Sequence, residues 1–146
     1  MALNLLLVDD NPRIRQLLRT ILSELDDVTV REASDGGGAI EACAAWKPDI
    51  AIVDCEMSPM GGLEFIEQVR AGATRAPANL PIIMMTGHAE LQRVMRARRA
   101  GVSGFIAKPL SVGAVLGRLQ RTLSASADQK PGDRAAPSTD VLLSGC

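Results

Sequence analysis

Tyrosine is absent from this chain, and its only aromatic residues are one tryptophan and two phenylalanines in 146 residues. So few rings cannot build a platform for stacking nucleic-acid bases. Net charge is scarce as well, because 16 basic residues meet 17 acidic ones for a formal −1. A dedicated nucleic-acid binder is usually strongly basic, so that class is disfavoured. Cysteines number three, an odd count, and none stands in a Cys-x-x-Cys or Cys/His pattern. Reduced thiols are expected, not a disulfide framework or a zinc site. No apolar run nears the roughly 20 residues that span a bilayer, and the first residues lack the basic and apolar regions of a secretion signal. A cytoplasmic protein is the expectation.

What the chain does have is apolar bulk, 47% of its residues, enough for one domain with a real core. Apolar runs "NLLLV" (4–8), "IAIVD" (50–54) and "PIIMMT" (81–86) are too short for buried helices and suit strands covered on both sides. "VTVREA" (28–33) alternates, as an edge strand does, and "GFIAK" (104–108) reads as a last strand. Between them lie helical patterns. Pro12 follows an Asn11 cap, with Ile14, Leu17, Leu18, Ile21, Leu22 and Leu25 at helical spacing. Further helices are expected over 36–46, around Leu63, Ile66 and Val69, over 89–100 ending at Gly101, and after Ser111. The glycines of "DGGGAIE" (35–41) lack dinucleotide-loop spacing and read as a turn and helix start.

Strands alternating with helices imply an α/β fold: a doubly wound (βα)5 sandwich with a parallel sheet of order 2-1-3-4-5, flavodoxin-like. In such sheets ligands bind beyond the carboxyl ends of the strands, where the order reverses. There the first strand delivers Asp9 and Asp10, and the third delivers Asp54. Clustered carboxylates repel unless protonated or neutralised, and a hard divalent cation such as Mg²⁺ suits their oxygens. Thr86 ends the fourth strand and Lys108 the fifth. Carboxylates, Mg²⁺, a hydroxyl and an ammonium together make a phosphoryl-transfer site with an aspartate as acceptor.

The motifs "VDD" (8–10), "VDCEMSPMGG" (53–62), "MMTG" (84–87) and "GFIAKP" (104–109), in this order, resemble the response-regulator receiver domains of bacterial two-component signalling, in a layout similar to the single-domain chemotaxis regulators. The likeness runs from residue 4 to about 123, so a receiver domain is expected over 1–123 and a disordered, Ser/Ala/Pro-rich tail over 124–146, with no room there for a DNA-binding domain. The resemblance implies that Asp54 is phosphorylated. It implies that Asp10, Asp54 and the Glu56 carbonyl ligate Mg²⁺, with Asp9 acting through water. It makes Lys108 and Thr86 the groups that hold the phosphoryl, Thr86 and Phe105 the switch pair, and Lys108–Pro109 a candidate cis bond. It further implies a sensor histidine kinase or histidine phosphotransfer protein as donor, weak self-catalysed transfer and hydrolysis rather than metabolic turnover, and a monomer or weak dimer.

Some positions depart from the family pattern. Pro59 falls one residue later than usual, Gly61 stands for a frequent Asp, and Gly87 for a frequent Ala. Glu56 and His88 would flank the path of the attacking water. Arg93, Arg96, Arg98 and Arg99, with Arg118 and Arg121, predict a basic output face on helix 4, strand 5 and helix 5 for an acidic protein target. Two rivals remain. An aspartyl phosphatase needs D-x-D where this chain has D-D-N-P. A scaffold that works without phosphorylation would not need all five key side chains.

Overall fold

The computed structural model describes residues 2–87 and 91–127. Within them ten elements alternate: β1 (Leu3–Val8), α1 (Pro12–Leu22), β2 (Val28–Ala33), α2 (Gly36–Ala45), β3 (Ile50–Asp54), α3 (Gly62–Arg70), β4 (Ile82–Thr86), α4 (Leu91–Ala100), β5 (Gly104–Ala107) and α5 (Val112–Ala127). The strands form one parallel sheet in the order β2-β1-β3-β4-β5. This is the expected flavodoxin-like sandwich. Helix α5 continues to Ala127, past residue 123 where the sequence pattern ended. His88 and the expected first turn of α4 lie outside the described residues.

Side chains alternate across a strand, and that alternation divides the core in two. Leu6, Val8, Ala51, Val53, Ile82 and Met84 point to one face, where they pack with Phe65, Ile66 and Val69 of α3, Ala39 and Cys43 of α2, and Ala97 of α4. Leu5, Leu7, Ile50, Ile52, Ile83, Met85 and Ile106 point to the other, against Leu18, Ile21 and Leu22 of α1 and Val115 and Leu119 of α5. The central strands are buried on both faces, which explains their unbroken apolar runs. Strand β2 is at an edge and only its alternate residues are half-covered.

Helix starts follow local chemistry. The Asn11 side chain accepts from the Arg13 N–H at 2.9 Å, with Pro12 in the first turn. Asp35 accepts from the Gly38 N–H at 2.7 Å. Helix α2 opens on three glycines, which are poor helix formers, so this cap carries unusual weight. Asp35→Ala is expected to cost about 1 kcal/mol of stability, measured as a lower urea midpoint by the fluorescence of Trp46, the single tryptophan.

Candidate functional site

The alternation that divides the core also builds the site. Asp9, Asp54 and Lys108 continue the rows carrying Leu5 and Leu7, Ile50 and Ile52, and Ile106. They therefore leave the sheet on one side, at the ends of three strands. The Lys108 ammonium lies 3.1 Å from Asp54 Oδ1 and 3.2 Å from Asp9 Oδ2. Asp9 is fully buried, and its other oxygen accepts from the Asn11 N–H at 2.8 Å. Both of its oxygens are thus satisfied, which is what permits a carboxylate at that depth. The Arg15 guanidinium donates to the Asp9 carbonyl and pairs with Glu32, which also binds Arg19. Asp10 is exposed. Oxygens of Asp9, Asp10 and Asp54 all lie within 4.8 Å of one another.

Burial pushes the Asp54 pKa above its ordinary value, and the charge of Asp9 adds to this, with a smaller push from Asp10. Lys108 offsets only part. Burial pulls the Lys108 pKa down, but its hydrogen bond and charge pairing with Asp54, with Asp9 behind them, more than offset that, and the net shift is upward. The Cys55 thiol is raised by burial and by Asp54, so Asp54's neighbour adds no further negative charge at neutral pH.

The loops are shaped around this cluster. The Lys108–Pro109 bond is cis, as the resemblance implied, and so is Ser58–Pro59 in the loop where proline falls one position late. That loop turns back so that Gly62 N–H bonds the Cys55 carbonyl at 3.2 Å. A Cβ at Gly62 would stand 2.2 Å from the Asp54 carbonyl oxygen, so only glycine fits.

Thr86 follows the row of Ile82 and Met84, on the opposite face of the sheet. Phe105 packs on that same face, opposite Met84 in register. Glu56 ion-pairs with Arg93, which draws its carboxylate toward α4. Arg96 pairs with Glu67 of α3 at 3.2 Å. Arg98 is buried over the Phe105 ring, and Arg118 donates to the Phe105 carbonyl at 3.1 Å. Of the arginines expected on a basic face, Arg96, Arg99 and Arg121 are exposed and Arg93 is partly so, whereas Arg98 is buried. Arg93 and Arg96 also border an open groove of about 460 Å³ with Asp10, Cys55 and Glu56.

The family model described as "Response regulator receiver domain" matches residues 5–120. This chain belongs to the response-regulator receiver domain family. Chemotaxis protein CheY-3 of Vibrio cholerae is 28% identical over 119 residues, 82% of this chain and 90% of that protein. Chemotaxis protein CheY of Pseudomonas aeruginosa is 27% identical, over 82% of this chain and 94% of its own. The crystallised CheY4 of Vibrio cholerae superposes with a TM-score of 0.76 at 29% identity, covering 84% of this chain and 99% of its own. Receiver domains are signalling phosphoacceptors that work with sensor kinases or phosphotransfer proteins, and they bind Mg²⁺ through an acidic pocket. The donor set here fits that ion: oxygens only, with charge that a divalent cation would offset. Among the described residues no helix is long and apolar enough to cross a membrane.

Two outcomes follow for this receiver domain. Gly62→Ala forces Asp54's backbone to move and is expected to cost about 1–3 kcal/mol, as overpacking does, seen as a lower urea midpoint. The raised pKa of Asp54 has a defined sign. Its contribution to apo stability is complete below the ordinary value of 3.8 and is lost as pH rises through the elevated one. In EDTA, Asp54→Asn should therefore become progressively more stable than wild type as pH climbs from about 4 toward neutrality. Paired urea melts across that range measure the gap, and Mg²⁺ should close it.

Proposed function

We propose that this receiver domain accepts a phosphoryl group from a phosphohistidine onto Asp54, in the cytoplasm, and signals by binding another protein. The observation that carries the reading is the Lys108 ammonium 3.1 Å from Asp54 Oδ1, at the mouth of a carboxylate cluster that the sheet itself assembles. The Asp54 carboxylate attacks phosphorus in line. A P–O bond forms, the P–N bond breaks, and imidazole leaves. Lys108 offsets charge on the equatorial oxygens and the Thr86 hydroxyl donates to one of them. Asp10, Asp54 and the Glu56 carbonyl would hold Mg²⁺, with Asp9 behind a water, and the ion supplies further positive charge to the transferred group. Water then slowly hydrolyses the acyl phosphate, so the protein acts as a switch, a relay or a phosphate sink.

The output surface in this reading is α4, β5 and α5. Thr86 and Phe105 share one side of the sheet on adjacent strands. Movement of the threonine hydroxyl toward a phosphoryl on Asp54 therefore changes the space open to the Phe105 ring.

Acetyl phosphate labelling read by intact mass tests the acceptor. Wild type should gain one phosphoryl group in Mg²⁺, and Asp54→Asn none. Asp10→Asn should lower Mg²⁺ affinity on the order of tenfold or more, while apo stability holds or rises because a repulsive charge is gone. Labelling of Asp54→Asn at wild-type extent would place the acceptor elsewhere.

A further inference from the structure

Among the described residues, Arg98 is the one charged residue on the buried face of α4. It stands four residues after Val94 and next to Ala97, both buried, and is itself only 5% exposed, whereas Met95, Arg96 and Arg99 on the opposite face are exposed. Its guanidinium carbon lies 5.9 Å from the centroid of the Phe105 ring. A ring quadrupole attracts a cation within about 6 Å, and more strongly once the pair is out of water. From the other side, Arg118 Nε holds the Phe105 carbonyl at 3.1 Å. The Arg118 stem lies so close over Gly104 that a Cβ there would meet its Cδ at 2.8 Å. The β5 backbone at 104–105 is thus pinned by α5, and the freedom left to Phe105 is rotation of its side chain among staggered wells. Arg98 occupies one side of that choice.

We propose that Arg98 is the positioning residue that holds the Phe105 ring in its resting orientation, so that the cation–π contact opposes the phosphorylated state. This rests on the phosphoacceptor reading of Asp54 and adds the group that sets the switch threshold. The ring is half-buried on the same face as Thr86, and β5 runs on directly to Lys108, which touches Asp54. A ring that must leave Arg98 when Asp54 carries a phosphoryl group makes that group harder to hold. Coupling between two sites is reciprocal. Loss of the contact therefore favours the turned ring and, equally, occupancy of the phosphoryl position. A planar guanidinium stacks on a ring better than an ammonium does, so lysine should keep only part of the effect.

The test uses the full chain labelled with 4-fluorophenylalanine. Its two phenylalanines give two ¹⁹F resonances, one of them from Phe65, fully buried in the core. Arg98→Met keeps the stem and removes the cation; Arg98→Lys keeps a cation. Without ligand, Arg98→Met should move the Phe105 resonance toward the position that wild type reaches with Mg²⁺ and beryllofluoride, leaving Phe65 in place. It should also tighten beryllofluoride binding by about fivefold, the scale of a cation–π contact at the long end of its range, with Arg98→Lys between the two. An unmoved Phe105 resonance and unchanged affinity in Arg98→Met overturn the proposal. So does an equal change in both variants that tracks their loss of urea stability by Trp46 fluorescence, because packing alone would do that. If wild type binds no beryllofluoride while the Phe105 resonance still moves, the phosphoacceptor reading falls and the regulatory role falls with it, although the ring contact stands.

Discussion

Everything at the carboxyl edge of this sheet answers to one electrostatic constraint: two buried carboxylates, Asp9 and Asp54, with exposed Asp10 beside them. Like charges in low dielectric are costly, and each must find compensation nearby. The protein supplies it in fixed parts. One oxygen of Asp9 takes a backbone N–H from the next loop, the other takes the Lys108 ammonium, and that same ammonium reaches Asp54. The compensation is incomplete for Asp54, whose pKa stays raised. An incompletely neutralised carboxylate at a strand end is a receptive one. In the proposed function a cation would supply the missing compensation.

The constraint explains loops that would otherwise look idiosyncratic. The β3–α3 connection must pass close beneath the Asp54 carbonyl, and a glycine at 62 leaves that passage open. The Asn11 N–H is committed to Asp9 while the Asn11 side chain caps α1, so one residue serves both the charge and the helix. Arg15 and Arg19 converge on Glu32, and their hydrogen bonds and charges hold its pKa below the ordinary carboxylate range. Through the Arg15 contact with the Asp9 carbonyl, this surface network braces the strand that carries the buried anion.

The two faces of the sheet divide the site as they divide the core. Asp9, Asp54 and Lys108 lie in the rows that face α1 and α5, whereas Thr86 and Phe105 lie in those that face α4. Chemistry on one side of the sheet can reach the other through β4 and β5, the strands that end in Thr86 and precede Lys108. Helix α4 is tied to its surroundings by arginine contacts: Arg93 to Glu56, Arg96 to Glu67, and Arg98 to Phe105. The first reaches a residue two past Asp54, and the last reaches the strand that runs on to Lys108. The helix is well connected to the site without contributing a carboxylate to it.

Most of the fold and the core of the site were legible in the chain because both follow from period and position. Runs such as Leu5–Val8 and Ile50–Val53 name strands covered on both faces. The alternation of strands and helices names the parallel sheet, and strand ends name Asp9, Asp10, Asp54 and Lys108 as neighbours. These are local patterns, and local patterns survive without coordinates. The tertiary structure decided what depends on distance between elements far apart in sequence. It decided which of two adjacent aspartates is buried, since only the placement of Lys108 and Asn11 distinguishes them. It decided that Arg93 and Arg96, at the surface, pair with Glu56 and Glu67, because a flexible charged side chain takes whichever partner packing brings within reach. And it decided that Arg98 lies buried on Phe105. An arginine on a polar helix reads as exposed until the neighbouring strand is seen to hold an aromatic ring beneath it.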